Sequence, residues 1–61
     1  MIILGVDPGT IVTGYGIINY EKNVSIHIAN GLIKLPSSAD LAHKLELIYD
    51  GLSGIIKTYK P

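Results

Sequence analysis

Ile2-Ile3-Leu4-Gly5-Val6-Asp7-Pro8-Gly9-Thr10, followed by Val12-Thr13-Gly14-Tyr15-Gly16-Ile17-Ile18, is the stretch whose reading decides the fold. Ile2 to Val6 is apolar without alternation, the pattern of a strand covered on both faces. It delivers Asp7 into the turn Pro8-Gly9-Thr10. A carboxylate at the carboxyl end of such a strand is unfavourable for stability, because desolvating a charge costs roughly several kcal/mol unless it is compensated. Residues of that kind sit where the surroundings need their charge. The plainer explanation is an Asp that opens a Pro-Gly turn by bonding the backbone just ahead. The whole string of strand, Asp-Pro-Gly-Thr and Thr-Gly-Tyr-Gly favours a site.

Working outward, Tyr15 to Tyr20 reads as a second strand, and Glu21-Lys22-Asn23 is a hairpin turn of ordinary length. Val24, Ile26 and Ile28 alternate with Ser25, His27 and Ala29, the period of a half-exposed strand. Leu32-Ile33-Lys34-Leu35 resumes it after Gly31, which predicts a bend or bulge near Asn30-Gly31. Short connections make all three strands antiparallel. Pro36 ends the sheet, and Ser37-Ser38-Ala39-Asp40 matches a capping box with Ser37 as the cap. Leu41, Leu45, Ile48, Leu52, Ile55 and Tyr59 then form one helical stripe. Gly51 and Gly54 interrupt that helix, either as tolerated residues near a fraying end or as points of close approach. Pro61 cannot continue it. The fold class is α/β: three antiparallel strands followed by one long helix.

Sixty-one residues make one small domain at most. A chain of this length buries only about 60% of the surface its unfolded form exposes. Without cysteine, neither a disulfide nor a thiolate zinc site can staple it. His27 and His43 match no ordinary metal-ligand spacing. Five Lys balance five Asp and Glu, and Arg is absent. Nucleic-acid binders usually carry a basic surplus with Arg, so composition taken alone argues mildly against such a partner. No apolar run approaches the ~18 residues of a membrane span, and no charged region of a signal peptide opens the chain. The reading is a protein of the cytoplasm with no membrane partner.

Leu4-Gly5-Val6-Asp7-Pro8-Gly9-Thr10 and Val12-Thr13-Gly14-Tyr15-Gly16-Ile17-Ile18 together resemble the opening of the RuvC family, the bacterial Holliday junction resolvases. Leu45-Glu46-Leu47-Ile48-Tyr49-Asp50-Gly51, Ile55-Ile56 and Lys60-Pro61 are similar to that family's first helix and its exit, so the likeness covers essentially the whole chain. Ile11 departs from it, standing where many members have a basic residue.

The resemblance implies the N-terminal portion of an RNase H-like nuclease domain, residues 1–61, with later strands and helices lying beyond it. In that order the first strand lies inside the sheet, between the second strand and one that follows Pro61. It also implies a Holliday junction endodeoxyribonuclease of DNA recombination and repair. Two Mg²⁺ (or Mn²⁺) ions would support phosphodiester hydrolysis in the complete enzyme. Asp7 is then the first metal-ligating catalytic carboxylate, the second being a Glu on the next strand. Glu21, Asp40, Glu46 and Asp50 are not substitutes, since they fall in a turn, a cap and the polar flanks of a helix. Further implied partners are four-way DNA, a second copy in a homodimer and a branch-migration motor complex. Gly9, Thr10, Thr13 and Gly14 serve either as phosphate contacts or as turn geometry, Gly9 after Pro8 suiting a type II turn. The 61 residues alone are expected to be inactive. Two other readings stay open: the phosphate loop of an actin-like ATPase or sugar kinase, which shares Asp-x-Gly-Thr, and a non-catalytic, self-associating fragment.

Overall fold

β-branched and aromatic residues crowd the stretch before Pro36, and in the computed structural model, which describes residues 1–61, they form one antiparallel sheet. β1 (Ile2–Asp7), β2 (Val12–Glu21) and β3 (Val24–Lys34) lie in the order β1-β2-β3, and α1 (Leu41–Tyr59) follows. Three strands followed by one helix is the N-terminal portion of an RNase H-like fold. β2 reaches back beyond Tyr15 to Val12, so Thr13 and Gly14 belong to the sheet. Asp7 is likewise the last residue of β1, paired with Gly14.

The register sorts the side chains onto two faces. Leu4, Ile17 and Ala29 lie in line across the strands, as do Val6, Tyr15 and Gly31 and, beside them, Thr13 and Ile33. On the opposite face Gly5, Gly16 and Asn30 form one row, and Asp7, Gly14 and Leu32 the next. α1 packs on the first face along β3. A Cβ at Gly51 would come within 2.7 Å of Ile33 Cδ1, so this glycine marks the closest approach of helix to sheet, whereas Gly54 faces open space.

Several expectations are corrected. The bulge lies at Ile28, where the register shifts between Ile17 and Ile18, rather than at Asn30-Gly31; the extra residue is accommodated where β3 runs exposed. The helix cap is Asp40, whose Oδ1 accepts from His43 N at 2.8 Å, and Ser37 lies in the preceding turn. A carboxylate next to the helix serves the first-turn N–H groups better than a hydroxyl three residues further out. α1 ends as expected, with Lys60 in the left-handed region and its N–H donating to Ile56 O. The helical stripe is only partly buried: Ile48, Leu52, Ile55 and Tyr59 tuck in with Leu47, but Leu41 and Leu45 remain 64% and 56% exposed. Nor is β1 covered on both faces. It is the sheet edge: Val6 stays exposed because α1 lies along β3, and Ile3 because it is on the face that α1 does not cover.

Only Ile17, Leu35 and Thr13 are buried. Full burial of Ile17 contributes roughly 1.5–3 kcal/mol. The radius of gyration is 13.0 Å, against about 10.5 Å for a compact domain of this length. The accessible surface, 4479 Å², likewise exceeds the about 3,900 Å² of a globular protein of this mass. These residues form a sheet and a helix around a core that they only begin to close.

Candidate functional site

The site is built at the end of the sheet where β1 hands over to β2. Strand pairing with Gly14 fixes the backbone of Asp7, and the register sets its side chain on the face away from α1. There the neighbouring positions are Gly5, Gly14 and Gly16, with Asn30 and Leu32 beyond. The result is an open depression of about 490 Å³ with a floor of bare backbone and Asp7 at its rim. Asp7 is exposed, accepts no hydrogen bond through its side chain and meets no cation. Its carboxylate is not consumed by opening the Pro8-Gly9 turn. It is a hard oxygen donor open to a ligand from outside.

The turn itself is held from below. Thr13 is completely buried, and its hydroxyl accepts from Gly9 N at 3.2 Å and donates to Gly9 O at 3.3 Å. Gly9 lies so close to the Val12 carbonyl oxygen that a Cβ has no room there. Ile11 O accepts from Leu35 N at 2.9 Å, which anchors the far side of the turn to the buried end of β3. No glycine has a positive φ, so Pro8-Gly9 is not the type II turn expected; glycine is required by close approach instead.

The remaining candidates separate. Thr10 is exposed with an unengaged hydroxyl, whereas Gly14 is a half-buried sheet residue between Asp7 and Leu32. The Thr13 hydroxyl faces Gly9 and is spent there. On its helix side the turn borders a small apolar cleft of about 230 Å³, formed by Pro8, Gly9, Thr10 and the α1 residues Leu41, Lys44, Leu45 and Ile48. Leu35, Asn30 and Leu32 were not singled out by sequence reasoning. For Leu35 the available signal was its place as the last apolar residue before Pro36.

As to a metal, the donor chemistry fits in part. Asp7 is the kind of ligand Mg²⁺ takes, but no group of three or more His, Asp or Glu residues assembles anywhere in the chain. Glu21, Asp40, Glu46 and Asp50 do not gather around it. One carboxylate with water holds Mg²⁺ weakly, because that ion dehydrates reluctantly.

The family model described as crossover junction endodeoxyribonuclease RuvC matches residues 3–61. Proteins named crossover junction endodeoxyribonuclease RuvC from Geotalea uraniireducens and Citrifermentans bemidjiense are 51% and 52% identical over all 61 residues, covering 36% and 37% of their own lengths. The one from Psychromonas ingrahamii is 47% identical over 60 residues, 98% of this chain and 34% of the relative. The chain thus spans about a third of the length of the curated relatives it matches. No solved structure matches it significantly. A family match over nearly every residue leaves no room for the actin-like reading: the chain belongs to the RuvC family of crossover junction endodeoxyribonucleases.

Proposed function

We propose that residues 1–61 are the N-terminal part of a single RNase H-like nuclease domain, and that the complete protein cuts four-way DNA junctions in recombination and repair. The observation that carries this reading is Asp7: an unpaired carboxylate at the end of β1, on the open face of the sheet, in a chain of the RuvC family. Asp7 would hold a divalent cation, Mg²⁺ or Mn²⁺, with further carboxylates supplied from outside these residues. Such ions activate water and neutralise charge on the phosphodiester. What this chain contributes is the placement of one ligand on a rigid strand end, beside a depression whose glycine floor lets a bulky group approach the backbone.

The 61 residues alone are inactive in this reading, since one carboxylate cannot assemble the metal site. The chain carries no Arg and no basic surplus, so most phosphate contacts to the junction would also come from elsewhere. Where Ile11 replaces a commonly basic residue it is 69% exposed and offers no charge to a backbone phosphate. Homodimerisation, a branch-migration motor as partner and a bacterial cytoplasmic location belong to the same proposal, supported by the likeness to the family alone. No helix here is long and apolar enough to cross a membrane.

The test is Asp7→Asn in the full-length protein carrying this sequence. The substitution keeps the shape and removes the charge. Metal-dependent junction cleavage should fall by several orders of magnitude, on the scale of what metal ions supply. Binding to the junction, which depends on phosphate contacts elsewhere, should persist. Cleavage at near wild-type rate would remove Asp7 from the site. Cleavage of a junction by the purified 61-residue chain would show that these residues suffice.

A further inference from the structure

We propose that Thr13 is a positioning residue for Asp7, acting through the Gly9 peptide; the proposal rests on the reading of Asp7 as a metal ligand. Thr13 is the only buried polar residue in the chain. Burying a hydroxyl is unfavourable unless it is hydrogen-bonded, and both of its bonds go to one residue, the N–H and C=O of Gly9, so they tie the two peptide groups that flank it. Neither bond serves the sheet ladder. A valine would fill nearly the same volume, so packing alone does not call for the hydroxyl. Its effect is to tie down a turn that begins one residue after Asp7.

Asp7 has little else to hold it. Its side chain has no partner, so its position comes from the backbone alone. Before it, the β1–β2 ladder runs through to Gly14. After it, Pro8 and Gly9 leave the sheet. The Thr13 hydroxyl is the first attachment the chain meets beyond Asp7. The Gly9 contact with the Val12 carbonyl and the Ile11–Leu35 bond complete it. Without the hydroxyl, Pro8 to Thr10 would be fixed only at Ile11, and the strand end carrying the carboxylate would fray. A metal ligand has to be held to within a fraction of an ångström by the groups around it.

The experiment uses the full-length protein carrying this sequence and three variants: Thr13→Val, Thr13→Ser and Asp7→Asn. It reads hydrogen exchange of the Gly9 amide in the absence of metal, and Mn²⁺ affinity by calorimetry. In the wild type the Gly9 amide should exchange as slowly as half-buried sheet amides. Thr13→Val should speed that exchange and weaken Mn²⁺ binding about tenfold, the scale of one lost hydrogen bond. Thr13→Ser, which keeps the hydroxyl, should restore both to within about twofold of wild type. Thr13→Val with unchanged Mn²⁺ affinity overturns the proposal, whatever its melting temperature, and so does Thr13→Ser behaving like Thr13→Val. Should Thr13→Val fail to fold, fast Gly9 exchange in the wild type is sufficient to overturn it. Unaltered Mn²⁺ binding by Asp7→Asn removes the ligand reading and this proposal together, a result distinct from failure of the Thr13 variants alone.

Discussion

Two turns close the sheet, one at each end of β2, and they are held in different ways. Between β2 and β3, Lys22 and Asn23 both take left-handed backbone angles, with φ of 52° and 64°, the geometry of a two-residue hairpin turn whose twist suits its strands. Its one side-chain bond is local and exposed, Tyr20 Oη donating to Asn23 Oδ1 at 3.1 Å. Between β1 and β2, the Pro8-to-Ile11 turn has no left-handed residue and draws its shape from groups outside it: the buried Thr13 hydroxyl and the Val12 carbonyl at the start of β2, and the Leu35 amide from the far side of the sheet. The hairpin turn obeys its own sequence. The other is imposed by the core, and it is the one beside the unpaired carboxylate. For the metal ligand proposed at Asp7, bonds to buried residues fix the turn better than a conformational preference would.

The sharpest way to break this comparison is Gly9→Ala. The new methyl group would meet the Val12 carbonyl oxygen, which is backbone and cannot swing aside. Overpacking of this kind costs about 1–3 kcal/mol, and the loss should appear both in the urea midpoint of the full-length protein and in its Mn²⁺ affinity. Gly16→Ala, on the same strand pair, meets nothing within 4 Å in these residues and is the control. If both alanines behave alike, the turn is not as constrained as its geometry indicates.

The same contrast explains what the sequence disclosed. The three strands and the helix were legible because apolar alternation and helical spacing are local signals. Asp7 stood out in the sequence because a carboxylate ending an apolar strand conflicts with burial; in the structure it is exposed at the strand end, without a side-chain partner. The resemblance to the RuvC family added the chemistry. The basis of the turn was not legible: Pro8-Gly9 invites a type II reading, and only the tertiary approach of Val12 and Thr13 shows that glycine is there for space. The cap moved from Ser37 to Asp40 because two capping residues stood close together, and the helix starts directly after Asp40, whose side chain accepts from His43 N. The two-faced cover expected for β1 is absent because coverage depends on elements that a local pattern cannot supply.

The strands leading into the two turns differ as well. β3, one edge of the sheet, is protected by the bulge at Ile28 and by Lys34, devices that discourage pairing with another chain. β1, the other edge, has neither a bulge, a Lys nor a Pro, and Ile3 and Val6 are exposed on it. The isolated 61-residue chain should therefore associate through β1 at tens of micromolar. Ile3→Lys should raise the concentration needed for half-association about tenfold, equivalent to about 1.4 kcal/mol. Sedimentation decides it. A monodisperse wild-type monomer that folds cooperatively would show that the β1 edge is satisfied in another way.

The smallest effect belongs to the hairpin turn. A left-handed backbone costs an ordinary residue about 1–2 kcal/mol, and Asn tolerates it better than Lys because its short amide can bond the neighbouring backbone. Lys22→Asn should recover a fraction of that, about 0.5 kcal/mol, read as a higher urea midpoint for the full-length protein. Mn²⁺ affinity and junction cleavage should not move, because Lys22 sits at the opposite end of β2 from Asp7. A loss of stability would mean that local conformation does not limit this turn, and a change in metal affinity would mean that the two ends of β2 are coupled. Either result would undo the division between a turn shaped by its own residues and one shaped by the core.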